Sequence, residues 1–339
     1  MSSIPTNPIL TTEPSAPAPK LLGRRRSTKA RDIRERFIIG SLILCGIFSI
    51  ATTGAIVFVL GLETITFFTT EFDGLRVSFI EFIAGTQWSP LLGAEKHFGV
   101  WPLICGTFVI TAVAMAFALP LGLITAIYLS EYAPMWLRNI LKPTLEVISG
   151  IPTVVFGFFA LMVITPALRL EWWTNADGEP LNPLNIGTYN ALSAGLAVGI
   201  MTLPIVASLT EDALRAVPKS LREASYGLGA TRFETSIRVV TPAALSGIVA
   251  AFLLAIARCV GETMIVALAA GSSARFSLDP TADVQPMTGY MVQVFLGDVS
   301  NFGPEYYSAY AVASTLFVIT LCLTLFGHRI RVRFRQAYE

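Results

Sequence analysis

The chain has 339 residues, of which 53% are apolar and 14% charged, with a net charge of +1 and a mean hydropathy of +0.64. A soluble domain ordinarily carries about 25% charged residues, so this composition excludes one and assigns the chain to a membrane. The near-neutral balance also provides no global basic field, so nucleic acid is not an expected partner.

In chain order, residues 1–36 begin rich in Pro, Ser and Thr and read as a disordered tail. That tail turns basic from Arg24 to Arg36 and runs directly into a 26-residue apolar block, Phe37 to Leu62. A secretory apolar region has about 7–15 residues, so this block is expected to remain as an uncleaved anchor. Five further apolar blocks follow at about 102–129, 144–168, 188–209, 243–271 and 309–326. The expected fold is an all-α polytopic membrane protein with six transmembrane helices. It divides into the tail 1–36, a membrane domain 37–327 and a basic tail 328–339.

Six spans return both termini to one side. The two tails and the 130–143 and 210–242 loops hold nineteen Lys and Arg, whereas the alternate segments 63–101, 169–187 and 272–308 hold four. That asymmetry places both termini in the cytoplasm. Trp101, Trp136, Trp172 and Trp173 fall near span ends, where indoles favour the interface. A helix over 102–129 would be about 42 Å long against a hydrocarbon core of about 30 Å, so tilt or a protruding end is expected. Pro120, Pro152, Pro166 and Pro204 interrupt the second to fourth spans and are expected to kink them. The outer segment 72–90, with Phe79, Ile80, Phe82 and Ile83, either lies on the membrane or meets an external partner.

Cys45, Cys105, Cys259 and Cys322 lie in apolar blocks with no C-x-x-C pair, and His97 and His328 are far apart. No metal site or cofactor is expected from that spacing. None of the five lysines follows a glycine, so the chain lacks the Gly-Lys of a nucleotide-binding P-loop and is not expected to be an enzyme by itself.

Two constellations carry chemistry. The first is the cytoplasmic segment 221–242. Leu214, Val217, Leu221, Ala224 and Leu228 recur at helical spacing, and Ser220-x-x-Glu223 and Thr231-x-x-Glu234 both fit capping boxes. With Gly229 between them, two short helices meeting at a bend are expected, an elbow that lies on the membrane or fills a partner's groove. The second constellation is Arg258-Cys-Val-Gly261-Glu262-Thr263-Met264 in the fifth apolar block. A continuous helix would put Arg258 and Glu262 on one face. A charge at mid-span costs about 2.5–3.5 kcal/mol, so such groups rarely face lipid. They form either a mutually neutralising pair or an anion site with Arg258 as the fork-shaped donor. Thr263, Thr153, Thr202 and Ser149 are further pathway candidates by their polarity near kinks and charges.

Glu223-Ala224-Ser225, Gly229 and Pro242 resemble the E-A-A-x-x-x-G signature of ABC importer permeases, departing at Ser225, Val239 and Thr241. Arg258-x-x-Gly261-Glu262-Thr263 and Gly150-Ile151-Pro152-Thr153 sharpen the resemblance to the permeases of the phosphate-specific transport (Pst) system, and Met264 with the basic lead is more like its C-type than its A-type subunit. The resemblance covers roughly residues 37–330. It implies a type I ABC importer permease in a bacterial plasma (inner) membrane, moving inorganic phosphate by alternating access. The implied partners are an A-type permease, a dimer of ATPase subunits docking at the elbow, and an extracytoplasmic phosphate-binding protein. It also implies a transport role for Arg258 and Glu262. Another oxyanion, such as sulfate, molybdate or tungstate, or a role as a membrane sensor or scaffold, stays open beside it.

Overall fold

The computed structural model describes residues 29–72, 76–91, 96–171, 182–183, 185–297 and 303–333. The tail up to residue 28, Trp172, Trp173 and the tail beyond 333 lie outside the described residues. Among the described residues regular structure is helical, with one isolated antiparallel bridge between Trp88 and Phe98. Four helices are long and apolar enough to cross a membrane, and six when each of two bent pairs counts as one span.

Two compact units divide at residue 56. The first holds the start of α1 (Lys29–Thr69), whose side chains from Ile33 to Ile56 are all exposed. A helix that is apolar on every side and bare of protein is suited to lipid.

In the second unit α2 (Phe79–Ala84) precedes α3 (Trp101–Ile127), which a π-helical turn extends to Tyr132. α4 (Met135–Ser149) is followed by α5 (Thr153–Phe159), and a second π turn, Ala160–Ile164, continues α5 into α6 (Thr165–Leu168). α7 (Ala191–Arg215) leads to α8 (Lys219–Gly227) and α9 (Arg232–Thr235), and a third π turn, Ser236–Val240, joins α9 to α10 (Thr241–Ala243). α11 (Leu245–Val260), α12 (Met264–Ala269), α13 (Met287–Leu296) and α14 (Pro304–Arg333) complete it.

Prolines explain the breaks only in part. Pro152 separates α4 from the α5–α6 run, which diverge by 88°. Pro120 and Pro204, expected to kink their spans, lie inside α3 and α7 without ending them. Each of the three π turns is followed within two residues by a proline, Pro134, Pro166 or Pro242. A proline lacks its amide hydrogen and crowds the preceding turn, and widening that turn is one way to accommodate it.

The centre of the unit is α3 packed along α7. Ala114, Ala118, Ala194 and Ala197 are fully buried there. The approach is so close that a side chain at Gly195 would meet Val113 at 2.7 Å, and one at Gly122 would meet Val206 at 2.5 Å. Small residues at such contacts are how helices gain dispersion where lipid removes the hydrophobic incentive to associate. A second core gathers Phe67, Phe82, Trp88, Phe98 and Tyr290 edge to face beside α13 and α14. It anchors the 76–100 segment, whose Phe79, Ile80 and Ile83 remain exposed, while the Trp101 indole donates to the Ile83 carbonyl at 2.6 Å.

Candidate substrate pathway and coupling elbow

The elbow forms much as its local signals require. α8 stops at Gly227, and Gly229 takes φ +86, which glycine adopts without steric cost. Its N–H closes the turn on the Tyr226 carbonyl at 2.9 Å. Thr231 and Glu234 then make the expected capping box, with Thr231 N–H donating to Glu234 Oε2 at 3.0 Å and Glu234 N–H to Thr231 Oγ1 at 3.3 Å. The Thr231 backbone N–H and hydroxyl hold the Glu234 carboxyl below the ordinary glutamate range.

Two local expectations fail. The Ser220–Glu223 box is not made, because α8 starts from Pro218 with no side-chain cap. The apolar stripe from Leu214 to Leu228 is not one helical face either. Leu214 and Val217 are buried, but α7 ends at Arg215 before Pro218, and past that break Ala224 and Leu228 point to solvent. Of the coupling candidates, Glu223, Ala224 and Gly229 are exposed. Ser225 is buried, its hydroxyl 2.9 Å from Thr235 Oγ1, so one of the three residues that depart from the resembling motif ties the two arms of the elbow together. Pro242 lies in the first turn of α10, after Thr241 returns its hydroxyl to the Ser236 carbonyl at 2.8 Å. Tyr226, Leu228 and Phe233 are the large exposed apolar side chains of the bend.

Below the elbow lies an ion network that sequence reading missed. Arg222 binds Glu131 at the end of α3 through two bonds, and donates to the Leu214 and Val217 carbonyls at 2.8 and 2.7 Å. Those carbonyls lie at and just beyond the end of α7, so Arg222 adds donors where the helix ladder stops. Glu211, 1% exposed, accepts from Lys142 of α4 at 2.8 Å, with Arg215 at 3.5 Å and Arg138 at 3.8 Å. Glu211 and Arg215 are an i,i+4 pair on α7, but Lys142 is 69 residues from Glu211 and Arg222 is 91 from Glu131, and no local pattern marks those two pairs.

The fifth apolar block departs from its expected form. α11 ends at Val260 with Gly261 as its cap, so Arg258 and Glu262 do not share a continuous helix face and form no ion pair among the described residues. Glu262 lies in the break, 7% exposed, where its carboxylate accepts from Ile265 N–H at 3.4 Å and its carbonyl from the Thr288 hydroxyl at 2.6 Å. Thr263 bonds back to the Gly261 carbonyl at 3.3 Å. Arg258, in the last turn of α11, is exposed and has no partner among the described residues. The mutually neutralising pair is therefore not formed among the described residues. Thr153 opens α5 and is half-buried. α5 packs on α12 so closely that a side chain at Gly157 would meet Leu268 at 2.7 Å, which brings the Gly-Ile-Pro-Thr and Gly-Glu-Thr segments onto neighbouring helices. Thr202 is committed to the Val198 carbonyl and Cys259, and Ser149 to the Glu146 carbonyl.

Comparison with known proteins matches residues 118–336 to the family described as the binding-protein-dependent transport system inner membrane component. The chain is 34% identical over 254 residues to a probable ABC transporter permease protein, YqgH, of Bacillus subtilis, covering 75% of this chain and 76% of that protein. It is 31% identical over 316 residues to the phosphate transport system permease protein PstC of Mesorhizobium japonicum, covering 89% and 94%. It is 32% identical over 233 residues to the phosphate transport system permease protein PstA 1 of Mycobacterium tuberculosis, covering 69% and 70%. Among solved structures, a bacterial alginate ABC transporter in complex with an alginate-bound periplasmic protein superposes with a TM-score of 0.62 at 15% identity, over 89% of this chain and 96% of that one, a likeness of fold.

Proposed function

This chain belongs to the binding-protein-dependent transport system inner membrane components, and we propose that it is the C-type permease subunit of an ATP-driven importer of inorganic phosphate. The unpaired guanidinium of Arg258, beside a break where Glu262 is held away, is the observation that carries the reading. An arginine is permanently charged and presents paired N–H donors that match two oxygens of one oxyanion. Were Glu262 its partner, an anion would have to displace a carboxylate; with Glu262 bound to backbone N–H, the fork is free. The identity to proteins named as phosphate permeases supports phosphate among the oxyanions.

Both termini face the cytoplasm, on the charge asymmetry, in a bacterial plasma membrane, and an A-type permease completes the pathway on the Arg258 side. An external phosphate-binding protein delivers the anion, and two ATPase subunits receive the elbow on Tyr226, Leu228 and Phe233 beside Glu223 and Ala224. ATP closes the ATPase pair and draws the elbow inward. Arg222 passes that displacement to α3 through Glu131, and the Glu211–Lys142 pair ties α7 to α4. The break at Gly261 and the bend at Pro152 lie on contacting elements, so α5 and α12 move as one wall, with Thr153 and Thr263 at its inner edge.

The test is ATP hydrolysis and uptake by the full complex in lipid, with binding protein and a panel of phosphate, sulfate and molybdate. Phosphate alone is expected to stimulate both, and Arg258→Ala to remove uptake while the complex still assembles. Stimulation by sulfate or molybdate in place of phosphate would overturn the substrate and leave the permease.

A further inference from the structure

Beyond the outer end of α12 the chain lines an open cavity of about 400 Å³ that the pathway described so far does not use. Its walls come from three separate segments: Trp88 of the bridge with Ser89, Ser272 to Arg275 after α12, and Gln285 just before α13 with Gln293 within it. Gly271 aims the second wall. It takes φ +103, and a side chain there would meet Asp283 at 3.0 Å and Tyr189 at 3.3 Å, so the chain turns over the cavity on a residue that must lack one.

The chemistry of that lining is one of unused donors. The hydroxyls of Ser89, Ser272 and Ser273 have no partner among the described residues. Gln285, 5% exposed, donates to Gln293 Oε1 at 2.6 Å, which leaves the Gln293 amide hydrogens free. Arg275 is the charged residue of the described lining, 69% exposed, and it forms an ion pair with Asp283 at 3.8 Å that leaves its N–H groups without a hydrogen bond to that carboxylate. The buried indole N–H of Trp88 also lacks an acceptor among the described residues. The Arg275 guanidinium and the Trp88 indole can only donate, and the serine hydroxyls and the Gln293 amide beside them can donate too, so this part of the lining suits an acceptor-rich guest.

We propose that this cavity is a receiving site for a tetrahedral oxyanion, occupied between release from the binding protein and arrival at Arg258. The proposal rests on the reading of the chain as an oxyanion permease. Every oxygen of phosphate accepts hydrogen bonds, and the Arg275 fork supplies the one fixed charge. Asp283 nearby offsets that charge and keeps residence brief, as a transit site requires if binding is to admit the ion and still let it leave. Glu262 lies at the other end of α12, whose six residues advance about 9 Å, so the site opens one short helix away from the intramembrane charges.

The experiment measures phosphate imported per ATP hydrolysed by the full complex in proteoliposomes, with saturating binding protein. Arg275→Gln is expected to lower that ratio about tenfold, Ser272→Ala/Ser273→Ala about threefold, and Arg275→Lys to restore most of it. An unchanged ratio in Arg275→Gln overturns the proposal. So does uptake that falls only in step with ATP hydrolysis, since the loop would then serve docking. So does a lysine variant no better than glutamine. Should Arg275→Gln not assemble, the serine pair carries the same test. If the wild-type complex imports sulfate and not phosphate, the phosphate reading fails by itself, and the same ratio measured with sulfate decides the receiving site.

Discussion

Arg222 and Glu131, 91 residues apart in the chain, meet in a two-pronged pair, Nη2 to Oε1 at 2.9 Å and Nε to Oε2 at 3.3 Å. One belongs to the elbow and the other to the end of the longest packed span, so this contact is the mechanical joint between them. Its remaining N–H groups bind the carbonyls of Leu214 and Val217, which makes the joint a cap for α7 as well.

Replacing Arg222 with lysine is therefore not conservative. A lysine keeps the charge but cannot reach a carboxylate and two carbonyls in one plane. Arg222→Lys is expected to keep ATP hydrolysis by the assembled complex while lowering the uptake obtained per ATP several-fold. Arg222→Ala leaves Glu131, 8% exposed, without its partner, a loss of about 3–5 kcal/mol for a buried charge, and should lower the thermal stability of the complex. Equal uptake per ATP in wild type and Arg222→Lys would sink the joint.

The Glu211–Lys142 pair makes a second, independent prediction. Glu211→Leu strands Lys142 beside Asp212 alone and removes the acceptor that Arg215 and Arg138 approach. Its cost is expected to be about 3–5 kcal/mol, and Glu211→Leu/Lys142→Met is expected to cost less than the sum of the singles, because neither member of this pair is then left without the other. Thermal unfolding of the four proteins in nanodiscs gives the cycle. Strict additivity would mean that the pair does not interact.

How much of this was legible in the sequence depends on range. Gly229, Thr231 and Glu234 declare a turn and a cap within six residues, and the structure forms both. The spacing of Leu214, Val217, Leu221, Ala224 and Leu228 is helical too, but it crosses Pro218, and periodicity counts positions without testing whether the backbone between them is continuous. The same assumption misled at Arg258 and Glu262, where Gly261 ends the helix and a backbone N–H claims the carboxylate. Sequence reading placed an apolar block over 243–271 and an outer loop over 272–308, and gave no hint of α13, though its Met287–Leu296 run is apolar. Glu211 and Lys142 are 69 residues apart, and only the fold makes them neighbours.

The burial of Ser225 changes how docking is best probed. With Cys45 and Cys322, the exposed native cysteines among the described residues, replaced by serine, a thiol at Leu228 should label readily with a photoactivatable maleimide. Leu228 is 90% exposed and Ser225 8%. Leu228→Cys is expected to give an adduct with the ATPase subunit on illumination, and Ser225→Cys at least tenfold less. Comparable yields would mean that the elbow presents a different face to its partner.

The capping box supplies a pH dependence whose sign can be worked out. Glu234 has a lower pKa in the folded elbow than in the unfolded chain, because its ionised form accepts the Thr231 N–H and hydroxyl. A depressed carboxyl stabilises above its unfolded pKa, about 4.3, and that stabilisation is lost as the pH falls through the lower folded value. Hydrogen exchange at the Thr231 and Glu234 amides, corrected for intrinsic rates, should therefore show protection that is level at neutral pH and declines below about pH 4.3. Glu234→Gln keeps an acceptor with no charge to titrate, so its protection should be lower at neutral pH and show no such decline. Thr231→Ala should remove protection at Glu234 at every pH. If wild type and Glu234→Gln lose protection together on acidification, the acid sensitivity of the elbow lies elsewhere.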